Sequence, residues 1–528
     1  MNEQQSPDGW SRRRFLGAMG GVAGLAALAQ CPLERGALAA PPGSGGYPFS
    51  LGVASGDPAP DGFVLWTRLA PDPLAQNGGG MPAQPVAVDW RVATDEGMTD
   101  VVQQGTAPAL PELAHSVHVE PSGLVPDREY WYQFRYRDDL SPVGRTRTTP
   151  ALDAPVSSLS FAFASCQHWA SGYYSAYRHL AEEDLDLVVH LGDYVYEDGI
   201  PANGGYRRTP VPAQLRHYCK TIDRWRLQYA LYKSDPDLQR AHARFPWVVT
   251  WDDHEVQNDY AADASQYTGN IRQLRAAAYQ AYYEHQPLRL ASIPSTDEMR
   301  LYRGLSYGSL AEFSVLDGRQ YRSVPPCGWG EAAACDAAYD PAVTMLGQEQ
   351  ERWLLGRLAA SRSTWNVLAN NVMMARLDHD GPAGDILWHD AWDGFPAART
   401  RITDHFATAA VRNPVVITGD WHSTFVNDIK RDFDDPASAV VATEFVGTSI
   451  SSNGDGIVYG PYYGPMIGFN PHIRYFDGDR RGYVRCSLDQ SQWRTELRMV
   501  TTVSRSDAPV HTLASFVVED GRPGAKSL

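Results

Sequence analysis

Residues 415–428 read VVITGDWHSTFVND, and this stretch guides the interpretation of the rest of the chain. Its first four residues are apolar or β-branched, which predicts a short buried strand. The strand ends at Gly419, and Asp420 and His422 follow at once. A carboxylate and an imidazole at the carboxyl end of a buried strand suit a metal site at the edge of a sheet. A surface turn that contains both side chains by chance is the alternative.

Three segments upstream repeat this arrangement of a short apolar strand followed by polar side chains. They are residues 159–164, 185–190 and 247–250, followed by Cys166, by Asp193 and Tyr196, and by Asp253 and His254. Ligands in open α/β sheets bind beyond the carboxyl ends of the strands, so we expect these side chains to converge. Carboxylates prefer hard divalent cations, whereas thiolate, phenolate and imidazole favour a transition metal. The mixture therefore predicts two different metals that share a bridging carboxylate.

The first forty residues have the pattern of an export signal. Residues 11–16 read SRRRFL, a Gly/Ala-rich apolar run follows, and residues 37–39 offer a small-residue cleavage site. This pattern resembles a bacterial Tat signal over residues 1–40. A transmembrane anchor is a poorer interpretation, because the run has only about 15 residues where a span needs about 20. We therefore expect a protein exported by the Tat machinery to the periplasm or the medium.

Composition and charge restrict the partners of the 528-residue chain. Its formal net charge of −16 argues against nucleic acid or an anionic membrane surface as the main partner. No segment after the leader is long and apolar enough to predict a transmembrane helix. We expect a monomer with no nucleic-acid-binding surface.

Cysteine usage fits an oxidising compartment. Five of the six cysteines follow the leader, and Cys327 and Cys335 lie in a Pro/Gly/Ala-rich loop, which favours a disulfide between them. The odd number leaves at least one thiol with another role, and Cys166 is the candidate. Cys166 could also be an inert core thiol, or a phosphatase nucleophile, although that chemistry needs Arg six residues later, where Gly172 stands.

The pattern of apolar and polar residues changes near residue 155, which predicts two domains after the leader. Residues 46–150 alternate apolar and polar side chains in short runs, which predicts a β-sandwich. Within it, residues 123–132 resemble the tyrosine corner of fibronectin type III domains. Residues 156–528 repeat strand, acidic tip and helix, with helical patterns near 173–184, 212–243, 272–285 and 348–360. The predicted fold class is a layered α/β domain preceded by a fibronectin- or immunoglobulin-like sandwich.

Four motifs together resemble one known family. Residues 165–167 (SCQ), 192–196 (GDYVY), 251–255 (WDDHE) and 419–422 (GDWH) are similar to those of the alkaline phosphatase D family, a PhoD-like branch of the metallophosphoesterase superfamily. That family is distantly similar to purple acid phosphatases, and the resemblance extends over essentially the whole mature chain. It implies two β-sheets flanked by helices. It also implies an exported phosphodiesterase or phosphomonoesterase that uses iron(III) and calcium.

Matched position by position, the resemblance assigns ligands for iron(III). Asp193 would bridge the two metals, and Tyr196 would donate a phenolate. Cys166 stands where purple acid phosphatases have an aspartate, so it would donate a thiolate. His422 matches the second histidine of a Gly-His-x-His motif.

The resemblance also implies a harder, more anionic second site. Asp253 stands where purple acid phosphatases have an asparagine, and Asp420 replaces the first histidine of their Gly-His-x-His motif. Carboxylates at both positions favour calcium over zinc. The remaining histidine ligand of purple acid phosphatases has no counterpart, and Asn370 or Asn371 occupies that region.

The expected mechanism follows from the charge of a phosphate ester. Metals neutralise its oxygens and supply a metal-activated hydroxide near neutral pH. His254, beside Asp253, would protonate the leaving alkoxide, in line with its counterpart in the superfamily. Arg319, or alternatively Arg376, would hold a non-bridging oxygen.

Other functions remain as alternatives to hydrolysis of simple phosphate esters. A phospholipase D-type activity on lipid head groups uses the same chemistry, and the sequence does not choose between monoesters and diesters. Metal-free phospholipase D enzymes need His-x-Lys pairs, and none of the fifteen histidines has Lys two residues later. A non-catalytic secreted adhesion protein would suit the sandwich but gives no reason for four polar strand tips.

Overall fold

The computed structural model describes residues 46–76, 79–381 and 384–528. The leader predicted over residues 1–40 lies outside these described residues. Within them, two large β-sheets pack face to face, with helices on their outer faces. Strands and helices are numbered below in chain order.

The larger sheet has ten strands and includes both ends of the described chain. They are β1 (Val53–Ala59), β2 (Gly62–Arg68), β5 (Ser116–Val119), β9 (Ser158–Ala164), β10 (Leu187–His190), β11 (Pro246–Val249), β23 (Arg481–Asp489), β24 (Gln492–Val500), β25 (Val510–Glu519) and β26 (Arg522–Ser527). Their order is β26-β25-β24-β23-β9-β10-β11-β1-β2-β5. The central strands β9, β10, β11 and β1 are parallel, so their carboxyl ends share one edge.

The second sheet has seven strands in the order β14-β15-β17-β19-β21-β20-β22. They are β14 (Arg303–Tyr307), β15 (Ala311–Val315), β17 (Trp365–Asn370), β19 (Pro414–Thr418), β20 (Thr424–Lys430), β21 (Val440–Val446) and β22 (Ile473–Asp477). Strands β15, β17, β19 and β21 are parallel. The strand expected at 415–418 is therefore real and central, and it is buried along its whole length.

A continuous apolar core joins the inner faces of the two sheets. Phe161 and Val189 of the larger sheet share it with Phe313, Val367 and Ile417 of the smaller one. The rings of Phe161 and Phe313 meet edge to face with centroids 5.3 Å apart. Burial of this core holds the carboxyl ends of both parallel sets in a fixed relation.

Seven α-helices complete the layers in the described part of the chain. They are α1 (Ser175–Leu180), α2 (Ile222–Lys233), α3 (Pro236–Arg244), α4 (Arg272–His285), α5 (Gly347–Ala360), α6 (Pro396–Thr408) and α7 (Gly460–Tyr463). Helices α1 to α4 pack on the ten-stranded sheet, and α5 and α6 on the seven-stranded one. The result is the mixed, layered α/β fold that the sequence predicts. The helical region expected over 212–243 is divided, because Asp235 caps α3 and Pro236 opens it.

The N-terminal strands do not form a sandwich of their own. A five-stranded sheet contains β3 (Val86–Ala93), β4 (Val101–Ala109), β6 (Glu129–Tyr136), β7 (Asp139–Leu140) and β8 (Gly144–Arg147). Its apolar face packs on β1, β2 and β5, which belong to the ten-stranded sheet. Ser55 of β1 pairs with Pro246 of β11, so one layer of the expected sandwich is continuous with the parallel strands of the ten-stranded sheet. The backbone N–H of Val125 donates to Tyr130 Oη at 2.9 Å, as in a tyrosine corner.

Two small hairpins and a disulfide lie outside the main layers. The hairpins pair β12 (Ala264–Ser265) with β13 (Gly269–Asn270), and β16 (Glu331–Ala333) with β18 (Ile386–Trp388). Cys327 and Cys335 form the expected disulfide. No helix in the described ranges is long and apolar enough to cross a membrane.

Candidate active site

Four strand ends meet at one edge of the two sheets. Cys166 follows β9, Asp193 follows β10, Asp253 follows β11, and Asp420 follows β19. Short backbone bonds tie these tips together: Cys166 N–H donates to the carbonyl of Gly192 at 3.1 Å, and Gly419 N–H to that of Asn371 at 3.2 Å. The convergence expected from the sequence is present.

The backbone at these tips adopts a conformation that is unusual for residues other than glycine. Cys166, Asp193, Asp420 and His422 have φ angles of +58°, +56°, +70° and +50°. Each such residue costs on the order of 1 kcal/mol and persists only where the surrounding structure fixes it. Strain at four potential ligands marks this edge as the functional site.

One side of the site combines a thiol, a phenol and an imidazole. Potential ligand atoms of Cys166, Asp193 and His422 all lie within 4.8 Å of one another. Tyr196 Oη donates to Asp193 Oδ2 at 2.9 Å and lies 3.3 Å from His422 Nε2. By contrast, Tyr194 faces the core, where its hydroxyl lies 2.8 Å from His242 Nε2.

The other side is a cluster of carboxylates. Asp193, Asp253 and His254 form one group of possible ligands, and Asp252, Asp253 and Asp420 form another, each within the same 4.8 Å. Oδ2 of Asp252 and Oδ1 of Asp253 are buried and have no hydrogen-bond partner among the described residues. Buried carboxylate oxygens normally have hydrogen-bond donors, so these two oxygens are free to bind a cation.

Burial and mutual repulsion disturb the ionisation of these groups. Burial, reinforced by Asp193, raises the pKa of the Cys166 thiol well above its ordinary value. Burial, together with Asp252 and Asp253, likewise raises the pKa of Asp420. Burial raises the pKa of Asp252 to about 7, although Arg319 opposes the shift. These directions show that burial and nearby like charges disfavour the ionised forms of Cys166, Asp252 and Asp420.

Arg319 lies within the acid cluster and is completely buried. Its guanidinium donates to Asp252 Oδ1 at 2.5 Å and to Asp390 at 2.8 Å, and its Nη2 lies 3.8 Å from Asp253 Oδ1. The arginine expected to hold a substrate oxygen is thus paired with acids of the cluster, and its role at the substrate stays a prediction. Arg376, the alternative, pairs with Asp385 and Asp434.

His254 is oriented by a carboxylate that the sequence did not single out. His254 Nδ1 lies 2.7 Å from Glu197 Oε2, and Glu197 also accepts from the backbone N–H of Asn258 at 2.8 Å. Burial lowers the pKa of His254, but Glu197, Asp253 and Asp193 outweigh it and raise that pKa well above its ordinary value. The neighbouring carboxylates thus favour the protonated form of an imidazole that lies beside Asp193 and Asp253.

Asn370 and Asn371 both lie at the end of β17, and both are buried. Asn370 Nδ2 donates to the carbonyl of Val372 at 2.5 Å, and its Oδ1 accepts from Trp392 Nε1 at 3.3 Å. Asn371 Oδ1 accepts from Gly318 N–H at 2.8 Å. The role of either amide as a metal ligand stays a prediction.

Several residues that build the site were missed by the sequence argument. Asp252 had a visible signal, since it precedes Asp253 in the WDDHE motif. Glu255, in the same motif, accepts from the backbone N–H groups of Asp193, Tyr194 and Asp252 and so locks two tips together.

Ser452 and Asn453 had no such signal, because their loop is far from the motifs along the chain. Ser452 Oγ lies 2.6 Å from Tyr196 Oη, and Asn453 Nδ2 lies 2.8 Å from His422 Nδ1. Asn453 also contacts the hydroxyl of Tyr459. Each of these loop residues therefore touches a candidate ligand.

Comparison with known proteins agrees with this geometry. The profile of the PhoD-like phosphatase family matches residues 161–497, and that of its N-terminal domain matches residues 36–150. Alkaline phosphatase D of Bacillus subtilis (strain 168) is 45% identical over 527 residues, which cover 98% of this chain and 89% of the relative. A solved structure described as "Structure of PhoD" superposes with a TM-score of 0.87 at 46% identity. That alignment covers 92% of this chain and 93% of the other.

Two profiles of one family match most of the chain, and a relative of nearly equal length belongs with them. These matches assign the chain to a family. The chain belongs to the PhoD-like phosphatase family and is a phosphoric ester hydrolase.

Proposed function

We propose that the protein is a metal-dependent hydrolase of phosphodiesters and phosphomonoesters. The observation that carries this proposal is the set of three overlapping groups of ligand atoms at the strand tips. Asp193 belongs to two of these groups, and so does Asp253. Shared carboxylates are what a site for two neighbouring cations requires.

The donor atoms fit two unlike cations. Cys166, Asp193, Tyr196 and His422 offer the sulfur, phenolate and imidazole donors that suit iron(III). On the other side, Asp252, Asp253 and Asp420 offer carboxylate oxygens that suit calcium, with Asn370 as a neutral oxygen nearby. The unpartnered oxygens of Asp252 and Asp253 support this assignment, because a bound cation would satisfy them.

When bound, the two cations would neutralise the phosphate oxygens and lower the pKa of the attacking water. The remaining steps belong to the chain. Glu197 fixes His254 through Nδ1, so the other ring nitrogen is the atom that hands a proton to the leaving alkoxide. Arg319 holds Asp252 in place and offsets part of the cluster's negative charge.

Metal analysis of the purified protein tests this proposal. We expect iron and calcium at near-stoichiometric levels, and hydrolysis of p-nitrophenyl phosphate and its bis ester that is lost on chelation and restored by calcium. Hydrolysis that survives exhaustive chelation, or the absence of both metals, would contradict the proposal. Cys166→Ser should lose iron but keep calcium, whereas Cys219→Ser, which alters another buried free thiol, should keep both.

A phospholipase D-type activity is the second candidate, and exposed apolar side chains favour it. Ile457, Val458 and Phe469 are 48%, 50% and 43% exposed in the segment that follows Asn453. These side chains suit the acyl part of a lipid ester. A preference for phosphatidylcholine over glycerophosphocholine would support this candidate, and equal rates would contradict it.

We further propose that residues 1–40 form a Tat leader and that the mature protein is a monomer of the periplasm or medium. Its units would be residues 46–150 and 156–528. N-terminal sequencing of the exported protein, and loss of export on replacement of Arg12 and Arg13 by Lys, would test the leader. Light scattering would test the monomer.

A further inference from the structure

A polar cavity lies beside the active site, separated from it by one loop. Its volume is about 650 Å³, and it is lined by Tyr173, Asn203, Gly205, Tyr206, Arg208 and Ser504. None of these side chains is a candidate metal ligand or takes part in the proposed proton transfer. The cavity is called the Arg208 pocket below.

Two chains of contacts connect the Arg208 pocket to the site. In the first, Asn453 contacts His422 Nδ1 at 2.8 Å, and the Tyr206 ring covers the next residue, Gly454. A Cβ atom on Gly454 would lie 3.2 Å from that ring. The pocket therefore begins at the loop that touches a candidate ligand.

The second series of contacts passes through His168. Its ring meets that of Tyr196 edge to face, with centroids 4.8 Å apart, and its Nδ1 lies 2.6 Å from Ser171 Oγ. The carbonyl of Ser171 lies against Gly454, close to the Tyr206 ring. The pocket and the site therefore lie on either side of the loop that contains Ser452, Asn453 and Gly454.

Arg208 lines the pocket with an exposed side chain. Its guanidinium has no ion pair and no hydrogen bond to the residues that the structure describes. The adjacent Arg207 differs, because it is buried and pairs with Asp235 at 2.5 Å.

The surrounding loop fixes the backbone of Arg208. The residue has a φ of +52°, and its backbone N–H donates to the carbonyl of Gly205 at 3.2 Å. Tyr173 Oη donates to the carbonyl of Arg207 at 2.8 Å. Asp455, the acid nearest to Ser504, already accepts from Ser504 Oγ at 2.5 Å and from the backbone N–H of Val503 at 3.0 Å, so it is engaged away from Arg208.

We propose that the Arg208 pocket is a subsite for a second anionic group on the substrate, a phosphate or a carboxylate. Arg208 would bind that group through its guanidinium, and the hydroxyl and amide groups of Tyr206 and Asn203 would add hydrogen bonds. The inference rests on the proposed phosphodiester hydrolysis and specifies its substrate class. Esters that carry a second negative charge would bind more tightly than simple ones.

Three p-nitrophenyl phosphodiesters test this subsite. Their second alcohol is ethanol, a hydroxyalkanoate with a terminal carboxylate, or an alkanediol with a terminal phosphate. Arg208→Ala should raise KM about tenfold for the charged esters, leave kcat unchanged, and alter neither constant for the ethyl ester. Arg208→Lys should give a smaller increase. Whichever charged ester loses more affinity identifies the preferred anion.

Arg362→Ala is the matched control, because Arg362 is equally exposed but lies before β17, at the opposite edge of the sheet. It should leave all three esters unaffected. An equal change in KM for charged and ethyl esters in Arg208→Ala, or a selective effect of Arg362→Ala, would overturn the subsite alone.

Calorimetric binding of the same esters at 4 °C separates the two proposals. A wild-type protein that hydrolyses none of them would contradict the proposed function, and the binding data would still decide on the subsite. Added NaCl should weaken binding of the charged esters more in the wild type than in Arg208→Ala, because salt screens the guanidinium. Equal salt sensitivity would count against the subsite.

Discussion

Two regions of the molecule bury carboxylates and satisfy them differently: the interior of the seven-stranded sheet and the edge where strand tips of both large sheets meet. Within the sheet, Glu444 is fully buried and accepts four hydrogen bonds, from Met374 N–H at 2.7 Å, Ala375 N–H at 3.0 Å, Thr418 Oγ1 at 2.9 Å and Asn427 Nδ2 at 2.9 Å. All four donors are neutral, and together they satisfy the carboxylate. Glu444 is a structural acid that ties three segments to β21.

At the strand tips, the acids are more numerous and less well satisfied. Asp252 and Asp253 each keep a buried oxygen without a partner in the described part of the chain, and Asp420 lies beside both. Burial is similar in the two regions, so burial alone does not identify a functional acid. The tip acids differ from Glu444 in that they lie within 4.8 Å of one another and include buried oxygens without a hydrogen-bond donor.

The largest effect is expected at Asp420. Asp420→Asn should lower kcat/KM about 10³-fold, since it removes a charge aimed at the proposed cation. In the presence of a chelator, the free energy of unfolding of the same variant should exceed that of the wild type by about 1 kcal/mol, because repulsion from Asp252 and Asp253 is relieved. Steady-state kinetics and urea unfolding measure the two effects.

A matched control for Asp420 is Asp428→Asn, which removes a buried acid that pairs with Arg474 on β22. It should keep most of the activity. Lower stability of metal-free Asp420→Asn would contradict the distinction between the two regions.

Glu444→Leu should show the opposite pattern. It leaves four buried donors without an acceptor, so we expect a loss of about 4 kcal/mol in the free energy of unfolding. The folded fraction should keep its metals and keep kcat within about tenfold. Denaturant unfolding and metal analysis test this. Loss of both metals at unchanged stability would place Glu444 with the tip acids.

Asn453 sharpens the comparison on the imidazole side. A His422 ring that binds a metal through Nε2 keeps a proton on Nδ1, and the Asn453 amide, once rotated, presents Oδ1 to accept it. Asn453→Leu should weaken metal binding 10- to 100-fold, whereas Asn453→Asp should stay close to wild type. Metal content after dialysis at fixed free metal measures this, and equal losses in both variants would contradict it.

The smallest effect concerns a buried histidine outside the site. His118 of β5 stacks on Tyr283, and its Nδ1 lies 3.0 Å from the carbonyl of Leu288. Burial lowers the pKa of His118 to about 4. Because the unfolded chain binds a proton near pH 6.5 and the folded one does not, stability should fall as pH drops from 6.5 towards 4.

We expect His118 to account for about 1 kcal/mol of the stability that is lost between pH 6.5 and 4. The figure is reduced because the side chain is partly exposed to solvent. His118→Gln should remove this part of the pH dependence of urea unfolding. A variant with an unchanged pH profile would show that His118 titrates normally in the folded protein.

Much of the fold was predictable because apolar periodicity reports burial directly. The strands ending at Ala164, His190, Val249 and Thr418 were identified from such runs, and so was the helix over 272–285. Helix α6 was missed, because Arg, Thr and Asp interrupt its apolar face. The continuity of β1 with β11 was also missed, since pairing between distant strands leaves no local pattern.

For the site, the sequence indicated the residues that directly follow strands. It could not indicate Glu197 as the partner of His254, because Glu197 also fits an ordinary loop acid. Nor could it assign Arg319, whose residue type suits a phosphate and an acid cluster equally well. Contacts that span long sequence distances, such as Asn453 with His422, become visible only in the folded chain.

The shared ten-stranded sheet also affects how the protein is made. Strand β1 leaves the ribosome early, yet its neighbour β11 is synthesised only after the chain has passed Pro246. The pairing of β23 with β9 is delayed further, until residues near the C-terminus are complete. A chain with so many distant pairings folds slowly, and its unpaired strand edges are open to aggregation in the meantime. Assembly of the catalytic edge is therefore a late event in biogenesis, and truncation at either end should yield insoluble protein rather than a smaller enzyme.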